Sequence, residues 1–251
     1  MKKFIDIPHL PKGRVSALIA GECYAGILEK PLKALGAQYI PMPDCDCVGD
    51  GLRGHADLCI AHLGGREFVV ARNMRNKFQK LIYFLTENGA VIYESERTLG
   101  AKYPQDVPLN VCILDETVVC NTKYADPIIL NSVHKLIHVS QGYTKCSICV
   151  VDERSIITSD KNITSQLREN GYNVLEISAG HIALPGYDSG FIGGAAFKLS
   201  RNILAFSGSL DSHPDKNAIL DFLSNRGISP AFLTDMEIFD IGSVIPIVED
   251  L

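Results

Sequence analysis

KNITSQLRENGYNVLEIS (residues 161–178), AGHIALPGYDSG (179–190), FIGGAAFKLS (191–200) and RNILAFSG (201–208) run in succession. In the first segment Ile163 and Leu167 recur at helical spacing. Gly171 stands where a helix stops, because glycine enters the left-handed conformation without a Cβ clash. Residues 173–178 alternate as a strand does. A polar loop with His181 and Asp188 follows. Two more strand-like runs, 191–199 and 202–208, flank a tight turn at Ser200 and Arg201. The unit reads helix, strand, polar loop, hairpin.

The same order recurs along the chain. EKPLKALG before AQYIPMP ends at Gly36, NKFQKLIYFLTENG before AVIYES ends at Gly89, and AILDFLSNRG before ISPAFLTD ends at Gly227. DPIILNSVHK before LIHVSQ is a fainter copy without the glycine. Each helix offers an apolar face, as Phe78, Leu81, Ile82 and Leu85 show. Further hairpins are read at 56–63 with 66–72, 109–114 with 117–120, and 146–151 with 155–160. The fifth unit ends on a lone strand, 243–248, while 15–21 near the N-terminus has no partner. Pairing these two removes both free edges. The expected fold is α/β, a pseudo-fivefold ring (α/β propeller) of five ββαβ units in a single domain over residues 1–251. An open doubly wound sandwich is the alternative.

Composition narrows the function classes. The chain has 251 residues, a net charge of −5 and no Lys/Arg block, so a nucleic-acid partner is not expected. Its eight cysteines are too scattered for a small disulfide scaffold. MKKFIDIPHLP has no apolar stretch before Pro8 and Pro11, so no signal peptide is read there. No run reaches the roughly 18 apolar residues of a membrane span. A cytoplasmic protein is expected, and a homodimer is left open.

Four segments carry a resemblance: GHADL (54–58), QGYTKCSICVVDE (141–153), GHIALPGYDSGFIGG (180–194) and FDIGSVIPI (239–247). With the five-unit pattern they resemble the pentein, or guanidino-group-modifying, superfamily, and more closely an uncharacterised bacterial family related to it. GHADL looks like the Gly-[Gly/His]-Asp-apolar segment of those enzymes, and QGYTKCS like their His-Leu-Lys-x-x-Ser-Met segment. The resemblance implies a hydrolase (amidinohydrolase- or deiminase-like) or an amidinotransferase acting on a guanidino or amino compound. The chain departs from that pattern in two places. The enzymes carry a nucleophilic Cys just before the last strand, where this chain has Gly242 and Ser243, and their motif His would fall near Gln141. The superfamily also contains the ribosome-binding translation initiation factor six, so a noncatalytic binding or interaction protein is the rival expectation.

In a ring, the loops after the five post-helix strands reach one end of the axis, where polar groups converge. Acids outnumber bases in these loops, which suits a cationic small-molecule ligand, a guanidinium or an amine. Cys146 is the candidate nucleophile, with Lys145 beside it to lower its thiol pKa. His55 or His181 is the candidate acid/base, and Asp57 or Asp188 its orienting group. Asp240, Glu237, Lys145 and Tyr187 are candidate substrate contacts. Cys45-x-Cys47 near His55 and Asp57 invites a zinc reading, but no second paired motif completes it, so neither metal nor cofactor is expected. Ser212 or Asp211 is read as a helix cap, and Gly193–Gly194 as a place where chains approach closely.

Overall fold

The computed structural model describes residues 1–132 and 134–251. Among them the strands form five sets of three in one order: two antiparallel strands, a helix, and a third strand parallel to the second. In the first set Ile245–Asp250 pairs with Arg14–Gly21, helix Ala25–Ala34 follows, and Gln38–Met42 completes it. Ile60–Gly64, Glu67–Val70, helix Gln79–Glu87 and Val91–Glu94 make the second. Cys112–Leu114, Thr117–Cys120, helix Pro127–Asn131 and Lys135–His138 make the third. Cys149–Asp152, Ser155–Thr158, helix Lys161–Glu169 and Asn173–Glu176 make the fourth. The fifth has Ala196–Ser200, Ile203–Phe206, helix Lys216–Ser224 and Ser229–Phe232.

Local chemistry accounts for these boundaries. Gly36, Gly89, Gly171 and Gly227 follow four of the helices with φ of 82°, 86°, 81° and 64°, the left-handed stop read from the sequence. Asp160 caps the fourth helix by accepting from Ile163 N at 2.9 Å. Asp126 caps the short third helix, with Pro127 at its first position, and also accepts from Glu96 N and Arg97 N. Within that fainter copy Val133 lies outside the described residues.

The two ends of the chain meet as the orphan-strand reading expects, since Ile245 lies opposite Ile19 and Asp250 opposite Arg14. Lys2–Phe4, not read as a strand from the sequence, adds to the outer edge of Ile245–Asp250. A single bridge, Ser200 to Arg14, joins the first and fifth sets into one seven-stranded sheet. Ile245 and Ile247 pack in one apolar cluster with Ile60, Val69 and Ile113 of the second and third sets, so the C-terminal strand is core. Among the described residues no helix is long and apolar enough to cross a membrane.

Four readings need correction. The runs beginning at 56, 146 and 191 are not strands throughout. Each hairpin there is preceded by one helical turn: Ala56–Cys59, Thr144–Ser147 and Ile192–Ala195. All twelve residues are buried, so no polar face reveals helical periodicity and the run reads as a strand. The cap assigned to Ser212 or Asp211 is also absent. The helix starts at Lys216, Asp211 pairs with Lys216, and Asp215 accepts from Ser178 N at 2.6 Å.

If the closing strand is core, Ile247→Ala will cost about 2–5 kcal/mol in a urea melt, the range for emptying a packed aliphatic site. Exposed Leu251→Ala will change stability by less than about 0.5 kcal/mol. Equal small effects at both positions would mean that the strand frays.

Candidate functional site

The helical turns bring the chemistry together. Cys146 lies in the turn Thr144–Ser147, whose first N–H groups need partners. Asn110, from the third set, supplies them: its Oδ1 accepts from Lys145 N at 2.8 Å and Cys146 N at 3.3 Å. Its Nδ2 donates to Cys146 Sγ at 3.4 Å. The turn Ala56–Cys59 starts at His55 and carries Asp57, whose N–H donates to Gly242 O at 3.2 Å. The Cys146 thiol donates to Asp57 Oδ2 at 2.8 Å.

Asp240 is held by backbone N–H groups, from Phe191 at 2.9 Å and Gly242 at 2.8 Å. Two glycines make room for this. A Cβ at Gly194 would sit 1.9 Å from Asp240 Oδ1. Gly242 has φ 65°, and a Cβ there would lie 2.1 Å from His55 Cα.

One ligating atom from each of His55, Cys146 and Asp240 lies within 4.8 Å of the others, and all three residues are buried. They line a cavity of about 140 Å³ together with Leu52, Leu184, Tyr143, Tyr187, Ser189 and Phe191. Tyr143 and Phe191 stand 6.2 Å apart between ring centroids, and Tyr143 Oη donates to Asp106. Asp57 sits behind the thiol and does not line this cavity. Both ring nitrogens of His55 and Oδ1 of Asp57 are buried without a partner. Such atoms carry the full cost of lost hydration unless a ligand reaches them.

Burial pushes the Asp57 carboxyl up, opposed by His55 and Lys145. The Cys146 thiol is pushed well above its ordinary range by burial first, then by the charges of Asp57 and Asp240. The expectation that Lys145 activates this thiol is not met. Its ammonium donates to Gly193 O and Ser243 Oγ, both at 3.0 Å, and Lys145 does not line the cavity.

Of the residues read from the sequence, His55, Cys146, Asp240 and Tyr187 share the cavity, with Asp57 behind it. His181 is exposed, its ring 5.5 Å from that of His213, and does not join His55. Asp188 and Glu237 are exposed and line no part of the cavity. Their side chains take the solvent face of the loops while Leu184 and Ile238 take the buried face. Sequence reading missed Asn110 and Phe191. For Asn110 a signal existed: a lone amide heading the apolar run NVCIL must find a buried partner.

Three residues could hold a metal ion, His55, Cys146 and Asp240, supplying nitrogen, sulfur and oxygen donors. The paired Cys45 and Cys47 are not part of that set, and Cys47 Sγ instead contacts Met74 Sδ at 3.4 Å.

The raised Asp57 pKa has a consequence for stability. The folded protein holds that proton more tightly than the unfolded chain. The resulting stabilisation is complete below the unfolded carboxyl value of 3.8 and is lost as pH rises through the folded value. Asp57→Asn has no such proton to lose. Its urea midpoint relative to wild type will therefore climb as pH is raised from about 3.5 to about 7. A difference that stays flat or falls would contradict a buried, uncompensated Asp57.

A family model described as "Family of unknown function (DUF6873)" matches residues 19–245. No curated protein matches the sequence. Solved structures are similar over nearly the whole chain. SxtG, an amidinotransferase from Microseira wollei in the saxitoxin biosynthetic pathway, has a TM-score of 0.63 at 7% identity, covering 97% of each chain. The inosamine-phosphate amidinotransferase StrB1 from Streptomyces griseus has a TM-score of 0.60 at 9% identity, covering 98% of this chain and 97% of that one. A cysteine-to-serine variant of DDAH from Pseudomonas aeruginosa, complexed with citrulline, has a TM-score of 0.56 at 9% identity, covering 87% and 92%. At these identities the likeness is one of fold. The chain thus belongs to the family described as DUF6873, and its α/β fold is that of the pentein superfamily.

Proposed function

We propose that the five sets close into one ring, a single pentein-like domain over residues 1–251, and that its central cavity takes a small guanidino or amino compound and acts on it through Cys146. One observation carries this reading: a buried thiol at the base of an aromatic-walled cavity, set among His55, Asp57 and Asp240. The similar solved structures, among them two amidinotransferases, support the same class. A Cys and a His are both present, but not where the resembling enzymes carry them. The Cys comes from the fourth set instead of the segment before the last strand, and the His from GHADL.

The charges suggest an order of events. Without a cation, burial first and then the two carboxylates hold the Cys146 proton in place. A guanidinium seated against Asp240 offsets that field and lowers the thiol pKa. The proton then passes to a ring nitrogen of His55, and Sγ bonds to the guanidino carbon. As the adduct collapses the C–N bond breaks, and His55 returns the proton to the departing amine. Water then resolves the S-linked amidine in a hydrolase, or a second amine takes it in a transferase.

A cationic alkylating probe tests this directly. 2-Chloroacetamidine will label Cys146 at least about tenfold faster than neutral 2-chloroacetamide, a preference equal to about 1.4 kcal/mol of charge attraction. Asp240→Asn will abolish most of that preference. Peptide mapping separates Cys146 from the exposed Cys23. An unlabelled Cys146 beside a labelled Cys23 would overturn the nucleophile assignment. Stabilisation by agmatine would then leave a cation-binding protein of this fold.

The same donor set favours a second reading. Three N, S and O ligands beside a cavity match a catalytic zinc site, with the fourth position left for water or substrate. Metal analysis of purified protein decides between the two readings. Stoichiometric zinc, with Cys146 labelled only after chelation, supports the metal.

A further inference from the structure

A second cleft lies at the far end of the strands from Cys146. It measures about 490 Å³ and is walled by two hairpin turns, the loop after the last helix and the N-terminal segment. Cys146 precedes the strand Cys149–Asp152, whereas Glu153 and Arg154 follow it. Gly194 likewise precedes Ala196–Ser200, and Arg201 follows it. The cleft and the cavity therefore share strands but open at opposite ends of them.

The floor of the cleft contains a buried cation. Lys198 is 2% exposed, and its Nζ donates to Val151 O at 3.0 Å and Arg201 O at 2.7 Å. Two of its three donors are used, and both partners are neutral carbonyls. Among the described residues no carboxylate lies within ion-pair distance of Lys198, Arg154 or Arg201. Burial lowers the Lys198 pKa to about 8, opposed only in part by Cys149 and by Asp152, which lies beyond ion-pair distance. A buried charge without a partner is costly, and an anion in the cleft would offset that cost.

The rim carries more cations than acids, with Lys12, Arg154, Arg201 and Arg226 against Asp152 and Glu153. The Arg154 guanidinium lies 5.4 Å from the centre of the Tyr172 ring, and Arg201 is exposed. Arg226 is fixed at the side by Ser155 Oγ at 2.6 Å and Phe222 O at 2.8 Å, with Asp152 at 3.6 Å. Guanidinium forks match the oxygens of a phosphoryl group, which can accept from several donors at once. Leu10, Pro11 and Ile228 give one wall an apolar surface against which an organic body can rest.

We propose that this cleft binds a small organic phosphate, with the phosphoryl group held by Lys198, Arg154 and Arg201 and the organic body lying on the Leu10–Ile228 side. The proposal is independent of the chemistry at Cys146. A monocarboxylate would leave donors unpaired, which favours a phosphoryl group.

Isothermal titration in 150 mM salt (about the physiological ionic strength) with inorganic phosphate, AMP and citrate tests it. AMP will bind, inorganic phosphate will bind more weakly and compete with it, and citrate will bind less well than AMP. Arg154→Glu with Arg201→Glu, both at exposed positions, will weaken AMP at least about tenfold. The same variant will respond to agmatine as wild type does. No heat with any anion, AMP binding unchanged in the double variant, or citrate equal to AMP would each overturn the assignment.

Discussion

The pairing of Ile245–Asp250 with Arg14–Gly21 is the contact on which the other features depend. It completes the first set of strands from opposite ends of the chain. It also fixes Gly242 and Ser243 immediately before the closing strand, where they reach the other sets. Gly242 O accepts from Asp57 N, Gly242 N donates to Asp240, and Ser243 Oγ takes the Lys145 ammonium. Without that pairing Asp57, Lys145 and Asp240 would each lose a partner in a place that water reaches poorly.

Convergence of the sets imposes a second constraint. Polar groups that meet in a buried centre must satisfy one another. Most do so through backbone: Asn110 holds the turn of Cys146, and Lys145 joins Gly193 to Ser243. Among the described residues, partnerless buried atoms are scattered over Ser16, Asp44, His62, Asp106, Ser147, His213 and Glu249, but His55 leaves both ring nitrogens open and Asp57 one oxygen, all three around the thiol. What sets His55 apart is that both open nitrogens stand on a residue lining a cavity, where a ligand can reach them.

The repeat was legible because four of the five helices stop at a glycine in left-handed backbone, and each hairpin is punctuated by turn residues. The closing strand was legible as the one strand lacking a neighbour. The one-turn helices were not, because Ala56–Cys59 and Ile192–Ala195 are buried on every side and show no polar face. Site residues divide on similar grounds. His55, Asp57, Cys146 and Asp240 lie in or beside segments packed at the centre, and their loop positions indicated this. His181, Asp188 and Glu237 sit in the same kinds of loop, but spacing alone could not tell which face of an irregular loop turns outward. The orientation of Lys145 depended on Gly193 and Ser243, which are remote in sequence.

The ionisation of the Cys146 thiol tests the account most directly. With cysteine labelled at Cβ with ¹³C, and Cys146→Ser used to assign the resonance, its midpoint can be followed by NMR with and without agmatine. The account predicts a thiol still protonated above pH of about 9 in the free protein, shifting down by at least about one unit when agmatine is bound. A midpoint near the ordinary thiol value of about 8.5 in the free protein, unmoved by agmatine, would contradict it.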